Sequence, residues 1–262
     1  MVKSKTKHLV WLDLYYDYFA NRLDIIMIRV ILDQIKEGFS QLSNPEKAKN
    51  LSWFFKTGKG QYGEGDVFIG ISVPEQRKIA KKYINITLKD LQELFNSKIH
   101  EHRLTVLLIL VSKYEKADDL SKKKIFDFYL KNTRNINNWD LVDLSAPKIV
   151  GDYLLNKEPS ILFRLARSNT LWERRIAVLS TFTFIRNNDF KMSLKIAKLL
   201  LHDEHDLIHK AVGWMLREIG KKDQEIEEQF LIKNCTQMPR TMLRYAIEKF
   251  DKEKRKFYLS QK

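Results

Sequence analysis

Trp139 and Asp143 are the residues of this chain whose types and spacing first suggest chemistry. They stand in Asn137-Asn138-Trp139-Asp140-Leu141-Val142-Asp143-Leu144. Either asparagine can cap a helix that begins at Trp139. Four residues apart on that helix, the indole and the carboxylate lie one above the other on a single face. Leu141, Val142 and Leu144 fill the other side and point into a core. An indole face beside a carboxylate is a receptor for a cation, or for positive charge that develops during a reaction. The plain alternative is a half-buried Trp next to a solvated Asp, an ordinary pairing on helices.

A second group lies in Trp172-Glu173-Arg174-Arg175-Ile176-Ala177-Val178-Leu179. On a helix, Leu171, Arg175, Val178, Leu179 and Phe182 share one broad face, so Arg175 sits inside an apolar stripe. A guanidinium there requires an anionic partner, either a phosphate or a carboxylate of the chain itself. Trp214 lies at the edge of the stripe Leu207, Ile208, Ala211, Val212, Met215, Leu216, Ile219. It can pack inward or turn towards the surface that carries Trp139.

Other patterns exclude more than they suggest. Gly58-Lys59-Gly60-Gln61-Tyr62-Gly63 matches G-x-G-x-x-G, but no strand precedes it and no βαβ unit surrounds it. It reads as a glycine-rich connector. His202-Asp203-Glu204-His205-Asp206-Leu207-Ile208-His209 is rich in ligand-type residues yet lacks H-E-x-x-H. Asp206 reads as the N-cap of a helix from Leu207. No Ser–His–Asp or Cys–His arrangement is legible, and Cys235, the single cysteine, has no activating neighbour in sequence. One cysteine excludes an internal disulfide framework and fits a reducing cytosol.

These residues need a scaffold, and 262 residues with 44% hydrophobic content can build one large core. No run approaches the length that spans a bilayer. The formal net charge is +14, which points to a polyanionic partner whose phosphates meet Lys and Arg. The prolines mark helix starts: Pro45, Pro74, Pro159 and Pro239 each fall in a first turn, while Pro147 starts a helix or kinks the one running on from Trp139. Between them the apolar period is close to 3.6, with Val67-Phe68-Ile69 the one short strand candidate. Thr87-Leu88-Lys89-Asp90 resembles a capping box. The expected fold is all-α, roughly a dozen helices, paired at loose intervals of about 35–45 residues as in HEAT-type arrays. Such an array leaves a long concave surface, which suits duplex nucleic acid. The lysine runs Lys122–Lys124 and Lys252–Lys256 read as solvated faces.

Several stretches together resemble the AlkD-like DNA alkylation repair glycosylases. They are Trp53-Phe54-Phe55-Lys56-Thr57-Gly58, Tyr62-Gly63-Glu64-Gly65-Asp66, Gly70-Ile71-Ser72-Val73-Pro74, Asn138–Asp143, Trp172–Arg175, Asp206–Gly220 and Met238-Pro239-Arg240-Thr241. The resemblance implies a HEAT-like superhelix with a basic concave face. It implies hydrolysis of the N-glycosidic bond of cationic alkylated purines, 3-methyladenine and 7-methylguanine, in duplex DNA without base flipping. By the same resemblance Asp143 is the catalytic carboxylate and Trp139 and Trp214 are the flanking indoles. Arg175 holds a phosphate, with Arg174 and Lys210 as further DNA contacts. No metal or organic cofactor is implied. The expected protein is a monomer of the cytoplasm, associated with the nucleoid and with no membrane contact. Residues 1–26 read as a helical extension ahead of a single domain over 27–262. The alternative reading is a non-catalytic helical-repeat protein for distorted or branched DNA, and a third is a scaffold for a protein partner.

Overall fold

The computed structural model describes residues 30–261, so the expected extension over 1–26 lies outside the described residues. A first helix, α1, covers residues 30–42. It is followed by α2 (Pro45–Phe54), α3 (Val73–Lys82), α4 (Leu88–Phe95), α5 (His100–Tyr114), α6 (Asp119–Lys131) and α7 (Trp139–Ala146). Then come α8 (Asp152–Leu154), α9 (Ser160–Ala166), α10 (Leu171–Arg186), α11 (Lys191–Leu199), α12 (Asp206–Gly220), α13 (Gln224–Asn234), α14 (Arg240–Ala246) and α15 (Lys252–Ser260). Among the described residues there is no strand. Val67–Ile69, expected as one, makes a single parallel bridge from Val67 to Ile99. A lone extended segment hemmed in by helices has no second neighbour with which to continue a ladder.

The helix starts follow from local chemistry. Asn44 caps α2 by accepting from the Lys47 amide, and Pro45 takes the first position, where a missing N–H leaves nothing unpaired. Ser72 and Glu75 close a capping box on α3. Thr87 caps α4 with Asp90 as its partner, as the sequence suggests. Pro159 and Pro239 stand at the N-caps of α9 and α14. Pro147 takes the second of its two readings. The helix runs on from α7 through a π turn over Pro147–Gly151 into α8. The wider turn makes room for a ring that would collide with the preceding turn of a regular helix. The Pro147 carbonyl accepts from the Thr183 hydroxyl on α10.

Consecutive helices alternate between two layers. In one, α3, α5, α7, α10, α12 and α14 lie side by side, each against the next. In the other, α4, α6, α9, α11, α13 and α15 back them. This is a helical-repeat fold, in which each pair buries its apolar face against its neighbours. Burial follows from position in the stack. α5, flanked on both sides and backed by α4 and α6, is buried along nearly its whole length from Leu104 to Val111. In α12 the expected stripe is buried at Ile208, Ala211, Val212, Met215, Leu216 and Ile219. Each of these side chains larger than Ala211 contributes about 1.5–3 kcal/mol on burial. Trp139, Asp143, Arg175, Lys210 and Trp214 all lie on helices of the first layer. The lysine runs fall on α6 and α15 of the second layer, where Lys123 pairs with Asp127 on its own helix.

Candidate active site

α7 begins where Asn138 leaves extended backbone and its side-chain oxygen accepts from the Trp139 amide. Leu141 and Val142 are fully buried beneath it, which fixes the helix's rotation and turns Asp143 to the other side. Asp143 does not stand alone. Arg175 on α10 grips it with two parallel bonds, Nε to Oδ1 at 2.8 Å and Nη2 to Oδ2 at 2.7 Å. Its Nη1 donates to the carbonyl of Leu207 at the start of α12, at 2.7 Å. One guanidinium thus joins three consecutive helices of the first layer. The Asp143 side chain keeps 18% of its surface open, against 6% for Arg175. Burial lifts the Asp143 carboxyl above the ordinary aspartate value, Arg175 pulls against that rise, and the Asp140 carboxylate adds to it.

The apolar-stripe argument for Arg175 therefore resolves in favour of a carboxylate of the chain. In this structure the guanidinium is engaged internally and is 5% exposed. Arg174 is likewise engaged within the chain. It donates to Asp203 at 2.7 Å and to the carbonyls of Ser168 and Asn169, stapling the turn before α10 to the turn before α12. Lys210 pairs with Asp206 on its own helix at 2.7 Å but leaves 40% of its side chain exposed. Of the three expected DNA contacts it is the one whose charge is open at the surface. The cap of α12 is also displaced by one residue. His205, not Asp206, caps it, with Nδ1 accepting from the Leu207 amide. Among the described residues no group of His, Cys, Asp and Glu is arranged to hold a metal.

The indoles are placed differently. Trp139 is half-buried, one turn before Asp143, and stacks on Phe55 at 5.2 Å with 20° between planes. Phe55 stacks in turn on Phe68 at 5.0 Å, so three rings form a column at the end of α2. Trp214 is half-buried on α12. It packs obliquely on Phe182 at 5.9 Å and donates from Nε1 to Glu218. The structure brings Asp143 and Arg175 into contact and places Trp139 on the same helix. Trp214 sits seven residues, about two turns, beyond the Leu207 carbonyl that Arg175 reaches.

Two features of the site escape sequence reasoning. One is a pair of exposed aromatics at the end of α2. Trp53 is 74% and Phe54 53% exposed, and the Phe54 ring meets the Trp139 ring edge-on at 6.0 Å. Neighbouring Lys56, with a left-handed φ of 55°, holds its ammonium over the Trp53 ring. Two adjacent exposed aromatics beside Trp139 make a bare apolar edge to the site.

The other is a buried polar hub under the glycine-rich connector. Asp66 receives Arg103 Nη2 at 2.7 Å, Asn137 Nδ2 at 2.9 Å, Asn138 Nδ2 at 3.4 Å and a His100 ring nitrogen at 3.0 Å. The second His100 nitrogen meets Asp140 at 2.8 Å. Burial opposes charge on His100, but the carboxylates of Asp140 and Asp66 outweigh it and hold its pKa up to about 9. Burial likewise opposes the Asp66 charge, and His100 and Arg103 reverse that, leaving it below the ordinary value. Glu101 gathers the amides of Ile69, Gly70 and Ile71. The connector fits this closely only with glycine. A Cβ at Gly63 would lie 2.3 Å from the Phe55 carbonyl oxygen, and Gly70, with φ +83°, would place one 2.1 Å from that of Asn44. The available signal was four polar residues in succession, His100-Glu101-His102-Arg103, opening an otherwise apolar helix.

The matching family model, described as DNA alkylation repair enzyme, covers residues 35–250. The chain belongs to the DNA alkylation repair enzyme family. A solved structure described as a predicted DNA alkylation repair enzyme from Enterococcus faecalis has the same fold. The TM-score is 0.64 at 18% identity, over 80% of this chain and 97% of that one. No curated protein matches the chain in sequence. Among the described residues of this family member, no helix is long and apolar enough to cross a membrane.

Proposed function

We propose that this repair-family protein is a monofunctional DNA glycosylase. It hydrolyses the N-glycosidic bond of 3-methyladenine and 7-methylguanine in duplex DNA, with Asp143 as the reacting carboxylate. The observation that carries the reading is Asp143 itself. It is a carboxylate held rigid by a bidentate arginine, partly open to solvent, one turn from a half-buried indole.

The chemistry suits a carboxylate acting without a metal. An alkylated purine is positively charged and leaves with the bonding electron pair as a neutral base. Positive charge then develops on the deoxyribose. Asp143 stabilises that charge and orients a water whose oxygen bonds to the anomeric carbon, taking the proton released. The raised pKa of Asp143 suits it to accept that proton. Arg175 acts as a positioning residue, since its fork fixes both carboxylate oxygens. Trp139 and Trp214 offer ring faces to sugar and backbone. Because the leaving group is already charged, the base need not be flipped into a catalytic pocket before the bond breaks.

DNA would lie along the first layer, as a HEAT-like array presents its concave face. Phosphates would meet Lys210 and the exposed Lys56, and bases or sugars would meet Trp53 and Phe54. We place the protein, as a monomer, on the DNA of the cytoplasm. A second reading keeps the binding and drops the chemistry: the Arg175 pair neutralises Asp143, and a neutralised carboxylate can be purely structural. Incubation of the protein with methylated duplex decides between them. Free 7-methylguanine in the supernatant supports the glycosylase. Salt-sensitive binding without released base supports the second reading.

A further inference from the structure

A groove of about 740 Å³ runs across the second layer, between α9, α11 and α13. Its floor is apolar, made by Phe163, Leu194, Leu199 and Phe230. Leu199 is 38% exposed. The rim is cationic. Arg167 stands at the end of α9, Lys195 and Lys198 on α11 and Lys233 on α13, all four exposed. Arg164, one turn before Arg167, extends this rim along α9. The remaining lining residue is Asn234, so no carboxylate lines the groove.

Among the described residues none of these five cations is ion-paired. Lys198 donates to Asn234 Oδ1 at 2.6 Å, and the Arg167 guanidinium lies over the Phe163 ring at 5.9 Å. Both contacts leave the charge uncompensated. Arg164, Lys198 and Lys233 stand in the last turns of their helices, where the dipole favours a cation. That accounts for three of the charges. It does not account for Lys195 in the body of α11, nor for the apolar floor that the charges surround.

An occupant of this groove must offer apolar groups to the floor and anionic groups to the rim at once. Duplex DNA meets only the rim, since its outer surface is phosphate and sugar. Single-stranded nucleic acid needs open ring faces on which its bases stack. Here Phe230 is 8% exposed and Arg167 lies across Phe163. An amphipathic helix flanked by acids meets both demands. Its apolar side chains at i, i+3, i+4 and i+7 face the floor, and Asp and Glu beside them reach the rim.

We propose that this groove docks an acidic amphipathic helix of a protein partner. The inference goes beyond the glycosylase reading and does not depend on it. The helices of the groove are not those that carry Trp139, Asp143, Arg175 and Trp214, so partner and DNA need not compete.

The test is fluorescence anisotropy of a labelled helical peptide of about 18 residues, Leu on one face and Glu on the other, titrated with the full chain. Two control peptides carry Lys in place of Glu, or Ser in place of Leu. Two variants accompany the wild type: Lys195→Glu combined with Lys233→Glu, and Leu199→Ser. All three positions are exposed, so the fold is kept. Saturable binding of the Leu/Glu peptide is expected, weakened about tenfold or more by the charge reversal and about threefold or more by Leu199→Ser. Neither control peptide should bind comparably. Absence of saturable binding up to about 100 μM protein, or binding indifferent to both variants, overturns the proposal. Equal binding of the Ser-faced peptide reduces the groove to a basic surface and overturns it too. So does a charge-reversed variant that loses affinity for undamaged duplex while keeping the peptide, which makes the groove a second DNA contact. Base release should be unchanged in both variants. A protein that releases no base can still bind the peptide, so the two readings fail separately.

Discussion

Two aspartates, Asp66 in the glycine-rich connector and Asp143 on α7, are each held by an arginine, and the arginines serve them differently. Asp66 has 2% of its side chain exposed and four residues donating to it or facing it, Arg103, His100, Asn137 and Asn138. Asp143 has 18% exposed and one side-chain partner, Arg175. The pKa directions diverge accordingly. Burial alone would raise both, but the donors around Asp66 bring it below the ordinary value, whereas Asp143 stays above. A carboxylate saturated with donors is a fixed part of the fold. A carboxylate pinned in orientation but short of donors keeps free lone pairs and proton affinity, which is the condition a reacting group needs. The two also differ in what they join. The Asp66 hub locks the glycine-rich connector to α5 and α7. The Asp143 pair spans α7, α10 and α12, where a long ligand would lie.

The largest effect expected from this contrast is on stability. Asp66→Ala leaves Arg103 and His100 buried without their carboxylate, and a loss of about 3–5 kcal/mol follows. Thermal or urea unfolding measures it. Asp143→Asn should cost clearly less, because the amide oxygen can still accept from Arg175 and the site is part-exposed. Equal losses for the two would dissolve the distinction.

The second effect is pH-dependent. His100 is held at about 9 against an ordinary 6.5. Its contribution is therefore complete below about 6.5 and disappears as pH rises through 9. The unfolding free energy should fall over that window by up to the order of 3 kcal/mol. His100→Gln should flatten the slope; a wild-type protein equally stable at both ends of the window contradicts a charged His100.

A smaller effect separates geometry from charge at the other aspartate. Arg175→Lys keeps the cation and loses the fork, so base release should slow by about tenfold to a hundredfold, roughly 1.4–2.7 kcal/mol of barrier. The proposed role of Asp143 requires it ionised, so base release should decline as pH falls, at a higher pH than for an unperturbed aspartate. Arg175→Gln, which removes the cation that opposes the rise, should move that limb further up in pH. A further effect, of similar size on binding but negligible on stability, falls at the exposed aromatics. Trp53→Ala should weaken binding to lesion-containing duplex by about 1–3 kcal/mol and change stability by no more than ~0.5 kcal/mol.

Much of this was legible in the residues. Helix period, prolines and caps read directly, because they are local, and the all-α repeat followed from them. The reading failed where two local solutions compete or where the partner is distant. His205 and Asp206 can both cap α12, and one residue of register decided. Arg175 declared its need for an anion through its place in an apolar stripe. That the anion is Asp143, 32 residues earlier, depends on how α7 and α10 pack. Arg174 gave no comparable signal, and its staple to Asp203 belongs wholly to tertiary structure. The Asp66 hub was hidden for the same reason, since the connector must fold back on α5 before its aspartate meets Arg103 and His100.

We propose that the donor-poor aspartate does chemistry and the donor-rich one does not. It is tested most directly by release of 7-methylguanine from methylated duplex, normalised to bound DNA, for wild type and Asp143→Asn. Binding should be retained and release lowered at least about a hundredfold, ~2.7 kcal/mol or more of barrier. Release by Asp143→Asn at the wild-type rate would contradict it.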